Sequence, residues 1–142
     1  MTASVKKARP EFRNINIFND LPGYRLPIAG VVSILHRISG FLMFLLLPFI
    51  VWMLDKSLSS EYSFVKFKLV FNTGFGGIFF KLVALALIWA FLHHMVAGVR
   101  HIRMDMNHDT VTKESGRASA IRVLIVSIAL TLALGAKLFG LY

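Results

Sequence analysis

Three long apolar runs, separated by polar or mixed segments, set the pattern of this chain. They cover residues 30–54, 78–104 and 120–141. At about 1.5 Å of rise per residue, each is long enough to cross a hydrocarbon core roughly 30 Å thick as a helix. A helix satisfies its own backbone polar groups in lipid, and none of the runs alternates like a strand. The expected fold is therefore all-α, a single membrane domain over residues 1–142 with three transmembrane helices. Residues 1–29 read as a surface arm in which Pro10, Pro22 and Pro27 interrupt any helix, with room for a short amphipathic helix over residues 12–18. Residues 55–77 mix Phe64, Phe67 and Phe71 with Lys66 and Lys68, too charged to span and too apolar to float free, so an external connection in the headgroup layer is expected. Residues 105–119, with His108 and Asp109, read as a polar loop. Pro48, inside the first run, predicts a kink.

Composition agrees with a membrane location: 56% of residues are hydrophobic and the mean hydropathy is +0.68. The chain has no cysteine, so it can hold neither a disulfide nor a thiolate-bound iron–sulfur cluster, and any such redox centre belongs to another chain. Its own metal chemistry must come from its five histidines. The net charge of +9 is no sign of nucleic acid binding, because the cations sit mainly in flanks and loops. Lys6, Lys7, Arg9, Arg13, Arg25, Arg103, Lys113, Arg117 and Arg122 fall on one side, against Lys56, Lys66, Lys68, Lys81 and Lys137 on the other. The positive-inside rule then puts the N-terminus in the cytoplasm and the C-terminus in the periplasm. No small-residue cleavage pattern and no long Arg- and Ser-rich leader are seen, so the bacterial cytoplasmic (inner) membrane is expected.

The second run ends in His94-Met-Val-Ala-Gly98-Val-Arg100-His101. Seven residues make nearly two turns, so His94, Gly98 and His101 share a face, with the imidazoles about 10 Å apart along the axis. The first run opens with Ser33-Ile-Leu-His36-Arg37-Ile-Ser39-Gly40. The two runs are antiparallel, so both motifs come to one depth near the same membrane face. Ionisable groups in a span are costly and mark function by default. An imidazole in lipid suits haem iron, and Gly98 leaves room for a flat macrocycle. His94 and His101 cannot sandwich one iron from a single helix face, so a second axial ligand must come from His36 or from a partner chain. His36, Arg37, His101 or Arg100 could pair with the haem propionates. His93 lies about 100° around the helix and faces other packing. Arg100, Arg103 and Lys113 read most simply as interfacial anchors, and Ser33 either bonds back to its own helix or faces a ligand.

The motif at residues 33–40, with His94-x-x-x-Gly98-Val-Arg100-His101-x-x-x-Asp105, closely resembles the cytochrome b556 membrane-anchor subunits of succinate dehydrogenase, respiratory complex II. The Lys6-Lys7-x-Arg9-Pro10 start resembles the bacterial members. The resemblance covers essentially the whole chain and implies a non-flavin subunit that is not catalytic alone. Its partners would be a flavoprotein carrying FAD, an iron–sulfur subunit, and a second membrane anchor sharing the helical bundle. The cofactor implied is haem b, with His94 as an axial ligand and His36, Arg37 and, less directly, His101 at the haem. Ser33 and Arg37 correspond to the site that reduces the substrate, ubiquinone or menaquinone. The alternative within the same kinship is a haem-free quinone-binding anchor of a fumarate reductase.

Overall fold

A computed structural model describes residues 16, 18–20, 23–107 and 112–142. Most of the short helix expected over residues 12–18, the Lys6–Pro10 start, and the loop residues His108 and Asp109 lie outside these described residues. Among the described residues the protein is all-α, with α1 (Ile28–Leu45), α2 (Leu47–Leu58), α3 (Glu61–Asn72), α4 (Gly74–Met106) and α5 (Lys113–Leu138). By length and composition α1, α4 and α5 can each cross a membrane. They pack as an antiparallel bundle with α4 in contact with both others.

Helix α1 starts where Pro27, extended at ψ 147°, offers its carbonyl to the N–H groups of Gly30 (2.8 Å) and Val31 (3.1 Å). The expected kink at Pro48 is a full break in helix assignment at Leu46. Proline has no N–H to give the carbonyl four residues back, that of Phe44, and its ring crowds that carbonyl. Helical hydrogen bonding resumes directly after it, Ile50 N–H donating to the Leu46 carbonyl at 3.0 Å.

The connection between the first two spans is helical. Phe64, Phe67 and Phe71, spaced three and four apart, line one face of α3 with ring centroids 6.4 and 4.9 Å apart, and Phe67 meets Trp52 of α2 and Phe71 meets Phe80 of α4, each at 6.0 Å. Lys66 and Lys68 fold over Tyr62 and Phe64 at 4.4 and 4.7 Å. Ser60 and Ser63 cap α3 reciprocally, each side chain accepting the other's backbone N–H at 3.1 and 3.0 Å. The mixed apolar and charged stretch of the connection is thus a helix with an aromatic face.

The α3–α4 turn needs glycine twice. Gly74 has φ +58°, a left-handed conformation that side chains disfavour. At Gly77 an added Cβ would sit 2.8 Å from the Phe71 carbonyl oxygen, whereas at Gly76 it would meet nothing within 4 Å. Gly77→Ala should therefore destabilise the chain by about 1–3 kcal/mol, the usual cost of overpacking against backbone. Gly76→Ala should leave thermal stability in detergent close to wild type, and equal melting of the two variants would contradict this packing.

Helix α5 begins at Lys113, inside the segment expected as a loop. Thr112 caps it, its Oγ1 accepting the Ser115 N–H at 3.2 Å. The core is made of small side chains, with Val32, Ala97, Ala120 and Val123 forming one buried cluster that lets the helices approach closely. Phe41, Phe44, Phe91 and Leu132 point outward, as expected of helices solvated by lipid or by further helices.

Candidate functional site

The two motifs meet between α1 and α4. His36 stacks flat on His94, centroids 4.1 Å apart and planes inclined by 19°, and lies 5.1 Å from His101 at 40°. The three imidazoles form a ladder in which α1 supplies the middle rung. Opposite ligands of one iron must point at it along a common axis, and rings stacked face to face cannot do so. His36 and His94 are therefore not a pair of axial ligands to one iron in this arrangement.

The hydrogen bonds of His94 define which of its nitrogens is available. Nδ1 lies 3.0 Å from the His36 backbone carbonyl and 3.3 Å from Ser39 Oγ. A carbonyl can only accept, so Nδ1 carries the proton and, in the neutral ring, the lone pair is on Nε2. Ser39 is fully buried, and its hydroxyl donates to that same carbonyl at 2.8 Å, leaving its oxygen to accept from Nδ1–H. Gly40 makes room for the ring, since a Cβ there would come within 2.9 Å of His94 Cε1 and 3.2 Å of Nδ1. Ser39 and Gly40 belong to the motif at residues 33–40 but carry no role in the sequence alone, where their spacing of three and four from His36 is the one signal that could mark them.

Gly98 faces α1, where a Cβ would fall 3.8 Å from His36 Nε2, an ordinary contact. That nitrogen is buried and has no hydrogen-bond partner among the described residues. A buried polar atom without a partner, on a ring 5.1 Å from that of His101, is a feature that an anionic ligand group would satisfy.

His93 sits on a different face of α4. It is fully buried between Trp89, stacked at 5.4 Å, and α5, where Nδ1 meets Ser127 Oγ at 3.3 Å. Arg100 shares that direction, bonding Ser119 Oγ of α5 through Nε at 3.0 Å. Six residues turn it about 120° away from His94. The interfacial anchor expected at Arg100 is instead a buried side chain, 8% exposed, while Arg103 and Lys113 are exposed.

Ser33 and Arg37, one turn apart on α1, lie off the face that buries Val32 and Ser39. Ser33 is half-buried and Arg37 exposed, and among the described residues neither side chain forms a hydrogen bond or ion pair. Ser39, by contrast, does bond back to its helix. Asp105 is exposed at the end of α4. Among the described residues no three His, Asp or Glu side chains gather to hold a metal ion.

A donor set of one oriented imidazole, nearby cations and an unpartnered buried nitrogen suits haem. Known proteins point the same way. The chain is 37% identical over 123 residues to the succinate dehydrogenase cytochrome b556 subunit of Coxiella burnetii, covering 85% of this chain and 93% of the relative. It is 28% identical over 96 residues to the cytochrome b556 subunit of Paracoccus denitrificans, covering 68% and 71% of the two chains. Identity to the succinate dehydrogenase cytochrome b560 subunit of Reclinomonas americana is 35% over 100 residues, 67% and 68% of the two chains. Residues 7–134 match the family of succinate dehydrogenase/fumarate reductase transmembrane subunits. With three apolar helices that can span a membrane and a family match over nearly its whole length, this multi-pass membrane protein belongs to the succinate dehydrogenase/fumarate reductase transmembrane subunit family.

Proposed function

We propose that this chain is the membrane anchor of a bacterial succinate:quinone oxidoreductase, and that it contributes one axial ligand to a b-type haem and part of the quinone-reduction site. The observation that carries this reading is the fixed His94 imidazole, its Nδ1–H directed at the His36 carbonyl 3.0 Å away. Metal-bound histidines are commonly held in this way by a second hydrogen bond, which sets the tautomer and ring angle. The other anchor subunit would supply the further ligand, and His94 would hold the haem from this chain. His36, Arg37 and His101 would meet the propionates, whose charge requires cationic or N–H partners near the membrane surface. When bound, the haem supplies a one-electron redox centre inside the bilayer.

The quinone is the substrate. Its reduction to quinol takes two electrons, delivered from succinate through FAD and the iron–sulfur clusters of the partner subunits, and two protons. As electrons arrive, the quinone oxygens become negative and more basic. The Ser33 hydroxyl donates a hydrogen bond to one of them, and Arg37 stabilises the developing charge while keeping its own proton. Asp105, exposed at the same end of the bundle, would help water deliver protons from the cytoplasmic face. In the expected topology the N-terminus is cytoplasmic and the C-terminus periplasmic, in the inner membrane.

Gly40→Ala tests how His94 is positioned without changing the ligand. The new Cβ would force the ring off the His36 carbonyl, at a cost of about 1–3 kcal/mol. A shifted or weakened b-type spectrum is expected, while Gly30→Ala, whose Cβ meets only Pro27 and Leu26 at 3.6 Å or more, should leave it intact. Identical spectra for both variants would remove the support for this geometry.

A further inference from the structure

A cavity of about 680 Å³ opens between the start of α1, the end of α4 and the start of α5, with Arg100, Lys113 and Arg117 among its lining residues. We propose that it binds an anionic phospholipid, with Arg100 as the buried contact for the phosphate and Lys113 and Arg117 at the rim.

Arg100 carries the argument. It is 8% exposed, and its partners are neutral: Ser119 Oγ at 3.0 Å and the Gly116 carbonyl at 3.5 Å. Among the described residues no carboxylate pairs with it. A buried guanidinium without an opposing charge is unfavourable, and an anion entering the cavity would supply that charge. Lys113 and Arg117 lie four apart on α5, so they repel each other unless a negative group comes between them. Among the described residues the lining contains no Asp or Glu. The helix N-terminus beneath this rim adds a positive field of the same sense.

The other walls say which anion fits. Ile28, Ala29, Met104 and Ile121 line the same cavity and lead into the spans, so hydrocarbon must begin directly beside the charged group. That combination suits a phospholipid rather than a free ion, and basic pockets between spans are known to take anionic headgroups. The site is separate from the histidine ladder, because Arg100 faces α5 and His94 faces α1. It also does not depend on haem or quinone.

The test uses the native complex, purified in detergent, stripped of lipid and titrated with short-chain phosphatidylglycerol, phosphatidylcholine or inorganic phosphate. Bound lipid is counted by native mass spectrometry. Wild type should hold one phosphatidylglycerol more tightly than Lys113→Gln/Arg117→Gln, by roughly 25- to 30-fold at about fivefold for each cation near the surface. These exposed positions are chosen because Arg100→Gln also removes the bond to Ser119. Phosphatidylcholine should not distinguish the two proteins, and millimolar inorganic phosphate should not compete. Equal phosphatidylglycerol affinity would overturn the proposal, as would efficient competition by inorganic phosphate, which would indicate a plain anion site. Binding that occurs only after the other subunits are removed would also overturn it, because an acidic protein surface would then fill the cavity in the complex.

Discussion

Arg37→Leu should lower succinate-driven quinone reduction by about two to three orders of magnitude, the usual effect of losing one preorganised group that stabilises developing negative charge. Succinate oxidation with a water-soluble dye as acceptor should be unchanged, because that reaction ends before the quinone. The structure makes the comparison clean. Arg37 is exposed and makes no hydrogen bond or ion pair among the described residues, so its loss leaves the α1–α4 packing untouched. Arg37→Lys keeps the charge but not the planar fork and should recover only part of the rate. Ser33→Ala, which removes one neutral donor, should cost roughly tenfold or less. Equal loss with quinone and dye would show that Arg37 supports assembly instead.

His94→Leu should abolish the b-type absorbance while dye-linked succinate oxidation persists. The loss should exceed the roughly 10- to 100-fold weakening expected when only an orienting partner, such as Ser39, is changed. Leucine has similar bulk and would still fill the space beside Gly40. Ser39 can continue to donate to the His36 carbonyl at 2.8 Å, so that carbonyl is not left unpaired. The variant therefore removes the proposed ligand with little disturbance to the helix pair. Full haem content in assembled His94→Leu complex would contradict the ligand assignment.

Much of this was legible in the sequence because lipid imposes strong rules. Runs of the required length predict helices at residues 30–54, 78–104 and 120–141, and α1, α4 and α5 are the three helices with spanning character. The convergence of the two motifs at one membrane face follows from antiparallel spans, which set His94 about two turns deeper than His36 and His101; the structure instead puts His36 against both histidines, 4.1 Å from His94 and 5.1 Å from His101. The division between His94 and His93 followed from their angular separation on one helix, and the structure sends the first toward α1 and the second toward Ser127 of α5. Other features depended on how the helices fit together. Ser39 and Gly40 acquire their contacts to His94 only through the register of α1 against α4, which periodicity does not reveal. Arg100 resembles an interfacial anchor by position, yet the small residues Gly116 and Ser119 of α5 draw it into the bundle. Helix α5 starts earlier than its apolar run because Thr112 caps a polar first turn, a local hydrogen bond that hydropathy does not register.

The central claim is that His94, and not its neighbour His93, ligates haem. The most direct measurement is the dithionite-reduced minus oxidised absorbance spectrum of purified complex from wild type, His94→Leu and His93→Leu. A b-type signal is expected in wild type, lost in His94→Leu and retained in His93→Leu. A signal lost in His93→Leu but kept in His94→Leu would contradict the assignment. Assembled wild-type complex with no b-type signal would contradict haem binding altogether and leave a haem-free quinone anchor.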